Sequence, residues 1–207
     1  MVKKAILRTL VYADIFDYPL KKEEIQKWLI AGGNLKSQIS KLVQEENGFY
    51  FLKGRENLVE LRRERERQSR EKIKIAEKVA GILRKIFWIK MIGITGALAM
   101  KNSDKEDDID LLIVTKRNRL WITRLLTVFL VELVARRRRP GDRNVRDKIC
   151  LNMFLGEEHL EVPKKEQDLF SAHEVCQLKV IWEKDGIYQK FLKENQWVRQ
   201  FLPNWKP

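Results

Sequence analysis

The residues best equipped for chemistry lie between Ile92 and Thr115, in the run IGITGALAMKNSDKEDDIDLLIVT. Asp108 and Asp110 are one residue apart and open an apolar stretch through Val114 that reads as a buried strand. In a strand, residues i and i+2 face the same side, so both carboxylates point into one cleft. Two such charges repel unless a divalent cation lies between them. Hard oxygen ligands on a rigid strand suit Mg²⁺ or Mn²⁺, which would also hold the phosphates of a nucleoside triphosphate. Just upstream, the apolar residues Met91, Ile92 and Ile94 run into Gly96-Ala97 and a short helical turn at Leu98 to Met100. Gly96 lets the backbone approach a phosphate closely, and the amides that open the turn point at the anion. Gly96 and Ala97 are therefore the candidate polyphosphate-binding residues. Asp108 and Asp110 are the candidate metal ligands and catalytic carboxylates.

Other side chains carry less. His159 and His173 lie apart with no paired nucleophile, so hydrolase chemistry has no visible basis and each reads as a surface or packing histidine. Cys150 and Cys176 form neither a CxxC pair nor a spaced His/Cys set, so neither a zinc site nor a disulfide framework is expected. Lys116, Arg117, Arg119 and Arg124 follow the acidic strand and are candidates either for facing the phosphates or for plain solvation. The run Arg136 to Arg139 follows an apolar helix beginning at Asn118. It reads as cations on a helix C-terminus or as a contact for a phosphate-bearing partner.

Positioning these groups falls to a chain of 207 residues, 44% hydrophobic and 34% charged, enough for one large domain or two small ones. Residues 1–58 read as helices on Ala5 to Phe16 and Lys21 to Ile30, then a third capped by Asn34 and carrying Leu35, Ile39, Leu42 and Val43. A short strand at Phe49 to Leu52 follows, with turns at Gly48 and Gly54. That order resembles a winged helix-turn-helix, whose third helix would present Lys36, Ser37, Gln38, Ser40 and Lys41; the resemblance implies contact either with DNA, through residues 34–55, or with another protein. Residues 59–88 read as one basic linking helix. Residues 61–90 hold 11 basic and 4 acidic side chains, a net +7 of the whole chain's +13, and Arg62 to Lys72 contains no apolar residue. The reading is a solvated connecting helix, or alternatively a phosphate-binding stripe. The site itself falls in residues 89–160, and residues 161–207 read as a C-terminal helical extension with an aromatic-rich end.

The apolar turn at Gly96-Ala97, followed after twelve residues by Asp108-x-Asp110 on a strand, resembles the nucleotidyltransferase superfamily related to DNA polymerase beta, in its small stand-alone prokaryotic members. The match covers residues 91–155. It implies that Asp108 and Asp110 bind catalytic Mg²⁺ and that the turn holds the triphosphate. The implied reaction is transfer of a nucleoside monophosphate from an NTP to an unidentified acceptor, for which nucleic acid and protein are both candidates. Two departures stand out. Ala97 occupies a position that is usually Ser or Gly. The third carboxylate of active members should fall on the strand Lys148 to Leu155, where alternation puts Cys150, Asn152 and Phe154 on one face and Asn152 at the acidic position. An amide cannot act as a general base. Asp147, Glu158 and Glu161 are the available substitutes. The alternative reading is a catalytically degenerate, nucleotide-sensing DNA-binding regulator or antitoxin-like protein.

The expected fold is therefore α+β: a nucleotidyltransferase-like mixed sheet with flanking helices, preceded by a small winged helix-turn-helix-like domain. The excess of positive charge favours anionic partners. No secretory signal is visible, and the longest apolar stretch, Leu125 to Ala135, is about half of what a membrane span needs. A buried helix, no membrane association and a cytoplasmic location are expected.

Overall fold

The computed structural model describes residues 2–33 and 42–207. They form an α+β protein with two sheets and flanking helices, and the chain divides into two compact units. The first comprises Met1–Glu64, Lys164–Cys176 and Gln196–Pro207; the second comprises Arg65–Pro163 and Gln177–Asn195.

In the first unit, α1 (Val2–Asp14) is followed by β1 (Leu20–Lys21), α2 (Lys22–Lys27), β2 (Val43–Glu46) and β3 (Phe49–Leu52). The three strands make an antiparallel sheet in the order β1-β3-β2. Asn47 and Gly48, both at positive φ, close the β2–β3 hairpin with Glu46 opposite Phe49. Such a two-residue turn needs residues that tolerate the left-handed region. Val43, expected at the end of a third helix, instead opens β2, where its pairing with Leu52 competes successfully with helical spacing. Lys36, Ser37, Gln38, Ser40 and Lys41 lie outside the described residues. His173, on α6 (Leu169–Gln177), is buried and stacks on Tyr12 with ring centroids 4.4 Å apart.

The second unit is built on a mixed four-stranded sheet in the order β6-β5-β4-β7, where β4 is Ile89–Ile94, β5 Ile109–Thr115, β6 Ile149–Gly156 and β7 Lys179–Glu183. β5 and β6 are parallel and joined through α5 (Leu120–Val134); the other pairs are antiparallel. α4 (Gly96–Ala99) links β4 towards β5, and α7 (Ile187–Glu194) follows β7. One face of the sheet supplies Ile92, Ile94, Ile109, Leu111 and Ile113 to a core completed by Ile73, Ala76, Val79, Ala80 and Leu83 of α3 (Leu58–Leu83) and by Val131 of α5. Alternation therefore sends Gly93, Asp110 and Leu112 to the opposite face. Gly93 must lack a side chain there, because a Cβ would come 2.7 Å from Leu178 Cδ1.

Three expectations are corrected. Residues 161–207 are not purely helical, since β7 completes the sheet. α5 is not a buried helix: Thr123, Thr127 and Val131 face inward, but Trp121, Leu125, Phe129 and Leu133 are exposed. Nor is the apolar-free stretch of α3 simply solvated, because Arg62, Ser69 and Lys72 are buried. Arg62 donates to Pro19 O at 3.0 Å and Glu24 Oε1 at 2.9 Å, and its guanidinium lies 3.7 Å over the Tyr18 ring. Among the described residues, no helix is long and apolar enough to cross a membrane.

Candidate functional site

Asp108 immediately precedes β5 and Asp110 is its second residue, and the antiparallel pairing of Ile94 with Leu111 carries the chain after β4 to the same end of the sheet. Thr95 N donates to Asp110 O at 3.1 Å, which places Thr95 directly across from Asp110. Opposite residues of an antiparallel pair share a face, so the Thr95 and Asp110 side chains stand side by side. Gly96 follows at φ +64°, and a Cβ there would lie 3.2 Å from Asp110 Oδ2. Only a residue without a side chain meets both conditions comfortably. The glycine turn and the paired carboxylates, expected together from the sequence, are neighbours. Ala97 is exposed at the start of α4, and its carbonyl accepts from Asn102 N at 2.9 Å.

The parallel pairing of β5 with β6 sets Cys150 beside Asp110. Among the described residues, Asp108, Asp110 and Cys150 are the one group of three His, Cys or acidic side chains whose ligand atoms all lie within 4.8 Å of one another. The thiol lies beside the Asp110 carboxylate. Asn152, expected at the third acidic position, is exposed instead. The reason is a β-bulge: Asp110 pairs with Cys150 but Leu112 pairs with Met153, so β6 spends an extra residue between them and shifts its alternation.

None of the substitute carboxylates joins the pair. Asp147 accepts from Lys72 Nζ at 2.8 Å. Glu158 follows the far end of β6, where its carboxylate folds over Gly156, and Glu161 lies beyond it in sequence. Lys116, Arg117, Arg119 and Arg124 begin past the opposite end of β5, which at about 3.3 Å per residue is close to 20 Å from Asp110. Arg119 and Arg124 lie near the rings of Trp88 and Phe154 instead.

The cation at the site is Arg138. Arg138 N donates to Ile149 O at 2.9 Å and Ile149 N donates to Arg136 O at 2.7 Å, so the segment after α5 lies alongside the start of β6. Arg138 Nη1 then donates to Asp108 Oδ2 at 2.6 Å. Its neighbours Arg137 and Arg139 pair with Glu132, so the arginine run is divided between the helix end and the site.

Burial pushes the Asp110 carboxyl above the usual carboxylate value, and the charge on Asp108 adds to this; the Cys150 thiol and Arg138 act in the opposite direction. Burial, with the hydrogen bond and charge of Asp110, pushes the Cys150 thiol up to about 12, so it is a neutral donor at neutral pH and no general base. Thr95 is the N-cap of α4 but makes no capping hydrogen bond, and its buried Oγ1 has no partner.

A separate polar cluster holds the frame. Lys72 Nζ, on a side chain 2% exposed, donates to Lys105 O at 3.1 Å, Asp107 O at 2.8 Å and Asp147 Oδ1 at 2.8 Å. Ser69 Oγ accepts from Ser103 N, and Asp107 Oδ2 accepts from Asp104 N at 2.7 Å. Two loops that enter β5 and β6 are thereby fixed at the residues just before Asp108 and Cys150. Sequence reasoning missed Thr95, Cys150 as the third member and Lys72, and named Arg138 only within the arginine run, without its pairing to Asp108. A usable signal for Lys72 was present, because Arg62, Arg65, Ser69 and Lys72 continue the i, i+3, i+7 spacing of the apolar stripe on α3.

The two Asp carboxylates offer hard oxygen donors to a divalent cation, with the unpartnered hydroxyl of Thr95 on the residue across from Asp110. The third position is a thiol, where the resemblance implies a carboxylate. No protein-family model matches this chain, and no curated protein matches it. A solved structure described as a toxin-antitoxin with AMP-PNP is similar at 11% identity and a TM-score of 0.32, over 59% of this chain and 89% of that one. Likeness at that level carries no argument about fold or activity.

Proposed function

We propose that the second unit binds a nucleoside triphosphate with a divalent cation and passes its nucleoside monophosphate to an acceptor hydroxyl, in the manner of the nucleotidyltransferases related to DNA polymerase beta. The observation that carries this reading is the adjacency of the Gly96 turn and the Asp108/Asp110 pair at one end of neighbouring strands, with Asp110 Oδ2 3.2 Å from a Cβ position on Gly96. Asp108 and Asp110 hold the cation, which when bound neutralises charge on the reacting phosphate. The backbone amides at Gly96 and Ala97 receive the polyphosphate. Arg138, which donates to Asp108 Oδ2, is the cationic side chain that would hold a phosphate oxygen at the site.

A second reading is favoured by one observation, the thiol of Cys150 beside Asp110, where the resemblance implies a third carboxylate. On that reading the chain senses nucleotide, as an antitoxin-like or regulatory protein, without transferring it. Incubation with labelled NTPs, Mg²⁺ or Mn²⁺ and cell extract separates the two. Label transfer that disappears in Asp110→Ala supports the transferase, and metal-dependent NTP binding without transfer supports the sensor. Absence of both would remove the shared basis.

The three-stranded sheet and hairpin of the first unit support a winged-helix reading with DNA contact through residues 34–55. If it is correct, the full-length chain shifts duplex DNA in a salt-dependent way, and the Lys36→Glu, Lys41→Glu double variant weakens the shift.

A further inference from the structure

Cys150 is the wrong partner for magnesium. Mg²⁺ demands near-octahedral oxygen donors, whereas a thiolate selects softer ions such as Zn²⁺. Three observations meet at this point. The ligand atoms of Asp108, Asp110 and Cys150 lie within 4.8 Å of one another, and closing to about 3.5 Å would seat a tetrahedral ion with sulfur at about 2.3 Å and oxygen at about 2.0 Å. Thr95, 8% exposed, adds a hydroxyl with no partner on the same sheet face, directly across from Asp110. Buried orphan hydroxyls are uncommon, and one beside a cation site is accounted for by a ligand. Finally, the parallel register pairs Asp110 with Cys150, and the β-bulge that follows takes Asn152 out of line, so the thiol is placed by the strand register.

We infer that this site takes a thiophilic divalent cation, with zinc preferred over magnesium, and that Cys150 Sγ is its third protein ligand beside Asp108 and Asp110. The inference rests on the reading that the Asp pair holds a cation, and goes beyond it in naming the ion and the ligand. Ligation replaces the Sγ proton, which leaves to solvent, with the metal.

Cobalt(II) reports directly on sulfur ligation. Titrated into the full-length chain, Co²⁺ is expected to give a near-ultraviolet thiolate-to-metal charge-transfer band. The band should be lost in Cys150→Ser, kept in Cys176→Ser, and displaced by Zn²⁺ at a concentration at least a hundredfold below that of Mg²⁺. Calorimetric Co²⁺ binding without the band overturns the ligand assignment and leaves the Asp pair as a metal site. No Co²⁺ binding overturns both. Far-ultraviolet circular dichroism confirms that each variant is folded.

A different observation carries a second inference. Trp121, Leu125, Phe129 and Leu133 are 77%, 67%, 59% and 66% exposed and form one i, i+4 ridge along the outer side of α5. A helix apolar on every side is ordinarily covered. With Ile122 and Val134 beside it, the ridge presents roughly 600–700 Å² of apolar surface, taking about 200 Å² for a large side chain. That is above the usual largest patch of a monomer and close to the ~800 Å² per partner of a stable interface. The ridge is also symmetric about Thr127, so a two-fold antiparallel pairing sets Trp121 against Leu133 and Leu125 against Phe129, an aromatic against an aliphatic each time. We propose that α5 pairs with α5 of a second copy of this chain. Light scattering at tens of micromolar is expected to give twice the chain mass for the native protein and for Ile15→Glu, but a single chain mass for Leu125→Glu. A native protein that stays monomeric, or a dimer that survives Leu125→Glu, overturns it, as does monomeric protein that binds lipid vesicles through Leu125.

Discussion

Lys72 and Asp110 both carry charge into the second unit, and their surroundings differ in kind. Lys72 faces two carbonyls and a carboxylate, so its ammonium is matched donor for acceptor. Asp110 faces a second carboxylate, a thiol and an orphan hydroxyl, with Arg138 reaching only Asp108. Asp107, whose carbonyl accepts from Lys72, is the residue before Asp108, so the balanced cluster directly anchors the unbalanced one. The contrast separates structural charge from ligand-seeking charge. A group whose needs are met inside the fold stabilises it, whereas groups left in excess reserve part of their interaction for something from outside.

The comparison breaks most visibly at Lys72. Lys72→Met strands two carbonyls, while Asp147 keeps solvent and Arg146, and should cost about 2–3 kcal/mol in urea unfolding. A loss under about 1 kcal/mol would mean the clamp is not formed. Next in size, Gly96→Ala forces a side chain into the left-handed region and towards Asp110 Oδ2, for about 1–2 kcal/mol. Thr95→Val should move stability the other way, raising it by about 1 kcal/mol by removing an unpartnered hydroxyl of similar volume, while weakening cation binding. If stability falls instead, the hydroxyl has a structural partner.

Asp110→Asn sharpens the same contrast through pH. Burial raises the folded carboxyl above the ordinary carboxylate value, so in cation-free protein its favourable contribution is present below that ordinary value and lost as pH rises through the raised pKa. The Asn variant should therefore gain stability relative to the native chain across that window and keep the gain at neutral pH. Saturating cation should reverse it. A difference that does not vary with pH would show that Asp110 is not held in an unfavourable charged state.

Much of the site was legible in the sequence because it depends on short-range rules. Asp108 and Asp110 share a face by strand alternation, and Gly96 sits at a strand-to-helix turn. The strand at Phe49–Leu52 and the long helix through residues 58–83 likewise follow from local patterning. What was not legible depends on register between distant segments. Cys150 reaches Asp110 through the parallel register of β5 with β6, and a bulge before Met153 takes Asn152 out of line; no single-strand pattern reveals either. Arg138 reaches Asp108 because residues 136–138 lie beside Ile149, a pairing set by the fold. The polar stretch of α3 misled for another reason: apolar content was taken as the marker of burial, but Arg62, Ser69 and Lys72 are buried through hydrogen bonds to backbone and carboxylate groups. For α5 the composition indicated burial, and the exposed ridge shows that the second unit alone does not supply it.

The central claim is that Asp108 and Asp110 hold a divalent cation at which a nucleoside triphosphate docks. Electron paramagnetic resonance of free Mn²⁺ tests it most directly, titrating the native chain, Asp108→Asn and Asp110→Asn with and without ATP. The expected result is one Mn²⁺ bound per native chain, tightened by ATP, with at least a tenfold loss of affinity in each variant. Equal Mn²⁺ binding by all three proteins, or binding that ATP leaves unchanged, would contradict it.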